Sequence, residues 1–190
     1  MIRGIIFDCF GVLYGGSLSL LESLAPEGRR DEVTDVNSQK DYGFISYEEY
    51  LEQVGEIIGK TPQEIEAIMR MKHVRNSELV DFIASLRGTC KVAMLSNIGD
   101  TMIEQLFPAN ELDRLFDVVV LSHNEGVAKP NPIIFELTAE RLGLKPEECV
   151  MIDDIPSNCE GAQIAGMQSI QHITNDGTRV ALAKILEKSR

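Results

Sequence analysis

Ile5-Ile6-Phe7-Asp8-Cys9-Phe10-Gly11-Val12-Leu13 is the stretch that decides the fold. Three apolar residues run into a carboxylate, and a glycine follows. A short apolar run bounded by a turn residue reads as a buried strand of a parallel sheet. Leaving a charge unpaired at the tip of such a strand costs several kcal/mol, so something must meet Asp8 there. Two other runs end alike. Cys149-Val150-Met151-Ile152 leads into Asp153-Asp154, and Val92-Ala93-Met94-Leu95 leads into Ser96-Asn97. If the three strands are parallel neighbours, their tips converge on one point, and that point is the expected active site.

The pattern between these runs is helical. Ser77 is read as the cap of a helix carrying Leu79, Phe82, Ile83 and Leu86, with Gly88 as its stop. Strand Lys91–Ser96 follows. Next come a short helix near 101–107, a helical turn near 110–116 and strand Val118–Leu121. A helix over 132–142, strand Cys149–Asp153, a helix over 157–165, a strand near 168–173 and a last helix from Thr178 complete the chain. Strands separated by helices imply right-handed crossovers, hence an α/β, Rossmann-like, doubly wound parallel sheet. Ligands in such sheets sit beyond the carboxyl ends of the strands, where Asp8, Ser96 and Asp153-Asp154 all fall. Residues 16–75 carry helical signals only, including two capping boxes, Ser46 with Glu49 and Thr61 with Glu64. They are expected to form a small helical cap domain inserted into a core made of residues 1–15 and 76–190.

The chain has 190 residues, 44% of them hydrophobic, and a formal net charge of −12. The length suits one compact domain with a modest insertion. The acidic balance disfavours a nucleic-acid partner, because neutralising phosphates needs clustered Lys and Arg. No apolar stretch reaches the length of a membrane span. Met1-Ile2-Arg3-Gly4 enters the first strand without a signal-peptide layout, so a cytoplasmic protein is expected. Cys9, Cys90, Cys149 and Cys159 have no metal-ligand spacing and read as reduced core thiols. His73, His123 and His172 have no partner at a telling spacing and read as non-catalytic. Each acidic or basic motif also has a plain structural reading when taken alone. Asp153-Asp154 could be a turn and helix cap, Lys129 a surface lysine, Ser96-Asn97 a strand-to-loop turn, and Asn158 a group that orients its loop.

The ordered set says more than its members. Asp8-Cys9-Phe10-Gly11-Val12-Leu13, Ser96-Asn97, Lys129 in Ala128-Lys129-Pro130-Asn131-Pro132, and Asp153-Asp154-Ile155-Pro156-Ser157-Asn158 resemble, in order, the four motifs of the haloacid dehalogenase-like (HAD) superfamily. The insertion at 16–75 looks like that superfamily's small helical cap. The resemblance implies a Mg²⁺-dependent hydrolase of small phosphomonoesters, such as a sugar phosphate or a similar phosphorylated metabolite. Asp8 would be the nucleophile and would carry the phosphoryl group, with Ser96 and Lys129 assisting. Asn97, by its main-chain N–H, and Gly11, by its sharp turn, would shape the phosphate site. Asp8, the main-chain carbonyl of Phe10, Asp154 and Asp153 would hold the Mg²⁺. Neither a nucleic acid nor a membrane is an expected partner, and the chain would be a monomer or homodimer. Tyr14, Arg29, Arg30, Tyr42 and Tyr47 are expected cap residues that could select the substrate.

One position departs from the pattern. Phosphatases of the superfamily usually carry a second aspartate two residues after the nucleophile, as general acid and base. Phe10 stands there and can do neither. Some bacterial sugar-phosphate phosphatases of similar size also lack it. Two other readings stay open. The aromatic residue resembles 2-haloacid dehalogenases, which need no metal but lose the acidic pair kept here. The chain could also be a weakly active or inactive relative that binds a phosphorylated metabolite.

Overall fold

The computed structural model describes residues 1–98, 100–108 and 110–188. The last two positions of the core domain drawn from the sequence lie outside them. The chain divides into two compact units, Met1–Leu13 with Asn76–Arg190, and Tyr14–Arg75.

In the first unit, five strands among the described residues form one parallel sheet in the order β3-β2-β1-β4-β5. They are β1 (Gly4–Phe7), β2 (Lys91–Ser96), β3 (Val118–Leu121), β4 (Cys149–Asp153) and β5 (Gln168–Gln171). The sheet is the expected α/β, doubly wound type, with β1 flanked by β2 and β4. Phe7 pairs with Met94 on one side and Ile152 on the other, so the three motif-bearing strands end level with one another. Alternation sends successive side chains to opposite faces. Ile6, Ala93, Leu95 and Met151 pack with Ile134, Phe135 and Ala162 in one buried cluster. Ile5, Phe7, Met94 and Ile152 alternate the other way and are fully buried as well.

The second unit is helical: α1 (Leu18–Leu24), α2 (Arg30–Asp41), α3 (Tyr47–Ile58) and α4 (Pro62–Lys72). Both capping boxes form with both of their hydrogen bonds. Leu21, Val33, Val36, Tyr50, Leu51, Val54, Ile57, Ile65 and Met69 make its own core. Tyr14 and Gly15 belong to this unit: Tyr14 bridges to Arg75, and the Gly15 N–H donates to the Val74 carbonyl. Arg29 is held by both oxygens of Glu32, at 2.9 and 2.7 Å. The rings of Tyr42 and Phe44 stack at 5.8 Å, and those of Tyr47 and Tyr50 at 6.3 Å.

The helices of the first unit are α5 (Ser77–Leu86), α6 (Asp100–Leu106), α7 (Glu111–Leu115), α8 (Ser122–Glu125), α9 (Pro132–Arg141), α10 (Pro156–Ile164) and α11 (Asn175–Lys188). Several helix ends fall one residue from the sequence reading, and three boundaries depart from it more tellingly. Asn76, not Ser77, caps α5, because its side chain reaches the Leu79 N–H at 3.3 Å and Ser77 becomes the first helical residue. Helix α11 starts at Asn175 instead of Thr178. The Thr174 hydroxyl accepts from the Gly177 N–H at 3.1 Å, which draws that glycine into the first turn. Strand β5 stops at Gln171, two residues short of the expected end. The single turn of α8 was not foreseen, since four residues are too few to show a helical period. No helix among the described residues is long and apolar enough to cross a membrane.

Candidate active site

Asp8 follows β1 directly, and its N–H donates to the Ile152 carbonyl at 2.9 Å, so the residue sits level with the end of β4. Asp153 closes β4 and Asp154 follows it. Asp8, Asp153 and Asp154 each place a carboxylate oxygen within 4.8 Å of the others. Lys129 arrives from the turn before α9. Its Nζ lies 2.7 Å from Asp8 Oδ1 and 2.6 Å from Asp153 Oδ2. Asp8, Lys129 and Asp153 are all buried.

The two adjacent aspartates have different surroundings. Asp153 is saturated: Ile155 N–H donates to Oδ1 at 2.9 Å, Asn158 Nδ2 donates to both oxygens at 3.0 and 3.1 Å, and Lys129 Nζ donates to Oδ2. Asp154 Oδ1 is buried and has no hydrogen-bond partner. A buried carboxylate oxygen without a donor is costly and calls for an explanation. Strand β5 steadies this end of the sheet, because the His172 N–H donates to the Asp153 carbonyl at 2.8 Å and Gln171 Nε2 to that of Asp154 at 3.2 Å.

The electrostatics point the same way. Burial pushes the Asp8 carboxyl up to about 8, against the pull of Lys129. Burial also raises Asp154, and Asp153 adds to the shift. Burial opposes the Lys129 ammonium, yet Asp153 and Asp8 outweigh it and hold its pKa above the usual lysine value. Three carboxylates and one ammonium leave two negative charges when fully ionised, which is the charge a divalent cation would balance. The donors are all oxygens, as hard divalent cations prefer. The residues present therefore fit a divalent cation, with the unpartnered Asp154 oxygen as the clearest free donor in the set.

Of the other residues singled out in the sequence, Ser96 ends β2 and is buried. Asn97 follows it, and its side chain is taken up by the main chain of Lys129, at 2.9 Å in each direction. Gly11 has φ +86°, the left-handed region that glycine enters without strain. A Cβ there would lie 2.1 Å from Asp154 Oδ2. Gly11→Ala is therefore expected to displace the Asp154 carboxylate and weaken divalent-cation binding about 10-fold or more. Isothermal titration with Mg²⁺ checks this, and unchanged affinity would contradict it. Phe10 is partly buried. Cys9 is fully buried, and burial followed by the Asp8 charge holds its thiol protonated, which suits a core residue and not a nucleophile. The four cysteines are free thiols. The double donation by Asn158 and the grip of Asn97 on Lys129 were not read from the sequence. Both join residues through the fold, and no local spacing announces them.

A family model described as haloacid dehalogenase-like hydrolase matches residues 2–166. The chain belongs to that family. It is 30% identical to the fructose-1-phosphate phosphatase YqaB of Escherichia coli over 102 residues, 54% of each chain. It is 27% identical to the glyceraldehyde 3-phosphate phosphatase of Methanopyrus kandleri, across 90% of this chain and 84% of that one. The alignments span only part of the first curated relatives it matches, between 13% and 54% of their length. Among solved structures it is similar to the HAD family enzyme bt-2542 of Bacteroides thetaiotaomicron in complex with magnesium and inorganic phosphate. That structure is 25% identical, with a TM-score of 0.71 over 92% of this chain and 96% of the other.

Proposed function

We propose that this hydrolase is a Mg²⁺-dependent phosphatase of small phosphomonoesters that transfers the phosphoryl group to Asp8 and then to water. The observation that carries the reading is the buried, unpartnered Asp154 oxygen held beside Asp8. Relatives named as phosphatases of small phosphorylated sugars support it. Asp8, Asp154 and the main-chain carbonyl of Phe10 would be the direct ligands, and Mg²⁺ bound there would supply positive charge for the phosphoryl oxygens and for two anions that must approach each other. Asp153, whose oxygens are already engaged, serves as the counter-charge that holds Lys129 toward Asp8. Lys129 stabilises the charge that develops on the transferring group, and Ser96 with the Asn97 N–H binds its oxygens. A carboxylate nucleophile divides one hard displacement into two easier ones. The helical unit at 14–75 acts as the cap that selects the substrate, a small phosphorylated metabolite.

The acidic pair also bears on the alternatives. Displacing halide from carbon needs no cation, and an orphaned acid oxygen beside the nucleophile would only hinder it. The test is phosphate release from a panel of phosphorylated metabolites with and without Mg²⁺. Release that requires Mg²⁺ supports the proposal. Metal-independent halide release, or ligand-dependent stabilisation without turnover, would replace it.

Phe10 sets an expectation of its own. A general acid contributes roughly 10²–10⁴ in rate. Without one on this side chain, the enzyme should favour substrates whose leaving groups need little protonation. Phe10→Asp is expected to raise the hydrolysis of alkyl phosphates by about 10²-fold and that of p-nitrophenyl phosphate much less. An equal change on both substrates would show that another group already delivers the proton.

A further inference from the structure

Lys129 sits on a turn and not on a strand or helix, yet its ammonium meets Asp8 and Asp153 at 2.7 and 2.6 Å. A lysine side chain is long and flexible, so that aim depends on where its main chain is anchored. Two features outside the acidic cluster anchor it. The Asn97 carboxamide grips both peptide groups of Lys129: Nδ2 donates to the Lys129 carbonyl at 2.9 Å, and Oδ1 accepts from the Lys129 N–H at 2.9 Å. This ties the end of β2 to a turn 32 residues away. On the other side, α10 presents Gly161 to the same turn. A Cβ at Gly161 would stand 2.2 Å from the Pro130 carbonyl oxygen and 3.0 Å from Phe135 Cε2. The approach is between backbones, and a flexible side chain cannot relieve it.

The geometry points to Asn97 and Gly161 as a pair of positioning residues: one through its side chain, the other by lacking one, they seat the Lys129–Pro130 turn so that Nζ reaches both carboxylates. This role is separate from any contact the Asn97 main chain makes with a phosphate. Buried peptide groups need partners anyway, so a merely structural role would show only as lost stability. A positioning role shows at Lys129 itself. The catalytic consequence rests on the phosphatase reading, whereas the placement of Lys129 does not.

The experiment compares wild type, Asn97→Ala, Asn97→Asp and Gly161→Ala, each saturated with Mg²⁺. Acetylation of Lys129 by acetic anhydride is followed by peptide mass spectrometry, alongside kcat and KM on a phosphomonoester and the melting temperature. Asn97→Asp is isosteric and keeps the acceptor for the Lys129 N–H while losing the donor, so it guards against simple misfolding. The expected result is faster acetylation of Lys129 in all three variants. In Asn97→Ala and Gly161→Ala, kcat should fall about 10²-fold, as for a reacting group displaced by about 1 Å, with KM little changed. The loss in Asn97→Asp should be intermediate. Lys129 as protected as in wild type, with kcat unchanged and only the melting temperature lowered, would overturn the proposal. If the wild type releases phosphate from no substrate, the phosphatase reading fails on its own, and the acetylation rates still decide whether Asn97 and Gly161 position the lysine.

Discussion

Asp8→Asn is expected to stop phosphate release, with a fall in kcat on the order of 10⁴ or more, as for other nucleophile deletions. The fold should survive. The substitution is isosteric, and it replaces a carboxyl whose burial already pushes its pKa up to about 8. The sign of the pH effect follows. An acid whose pKa rises on folding binds its proton more tightly in the folded state. Its contribution to the metal-free fold is complete below the ordinary value of 3.8 and is lost as pH climbs through about 8. A divalent cation binds the ionised form, so stabilisation by Mg²⁺ should be larger at pH 8.5 than at pH 6. Asp8→Asn should flatten both trends. Melting curves with and without Mg²⁺ at the two pH values check this. Wild-type turnover in the variant, or a Mg²⁺ shift that shrinks as pH rises, would contradict the role assigned to Asp8.

Lys129→Met is expected to be the most destabilising single change at the site. It removes the cation between two buried carboxylates and leaves Asp8 and Asp153 facing each other. Breaking a buried pair by deleting one partner costs about 3–5 kcal/mol. The loss should depend on pH, because protonating Asp8 relieves the repulsion. Urea unfolding of wild type and variant without metal should therefore show a smaller gap at pH 5.5 than at pH 8.5. Phosphate release should be lost as well, since the charge that steadies the transferring group has gone. A gap of equal size at both pH values would mean that Lys129 is not the counter-ion of Asp8.

The sheet was legible in the sequence because each buried strand is a short apolar run closed by a polar tip, and helical periods separate the runs. The convergence of Asp8, Ser96 and Asp153 at one edge follows from parallel pairing of neighbours. Helix starts were read less well. By residue type Ser77 looks like a cap and Thr178 like a helix start, but Asn76 and Thr174 have the side chains that reach the free N–H groups. Within the site, sequence alone could not rank Asp153 against Asp154. Adjacent residues at a strand end face different surroundings, and only the fold shows which oxygens are already taken. The grip of Asn97 on Lys129 and the close approach of Gly161 to Pro130 were hidden for the same reason. Each joins elements far apart in the chain and leaves no period to detect.

The most direct test of the central claim is to quench wild-type protein with acid during turnover of a phosphomonoester in Mg²⁺, reduce it with borohydride and map its peptides. Reduction at Asp8, the mark of an acyl phosphate, is expected only when both substrate and Mg²⁺ are present. Steady phosphate release with Asp8 unmodified, or the mark on another carboxylate, would contradict it.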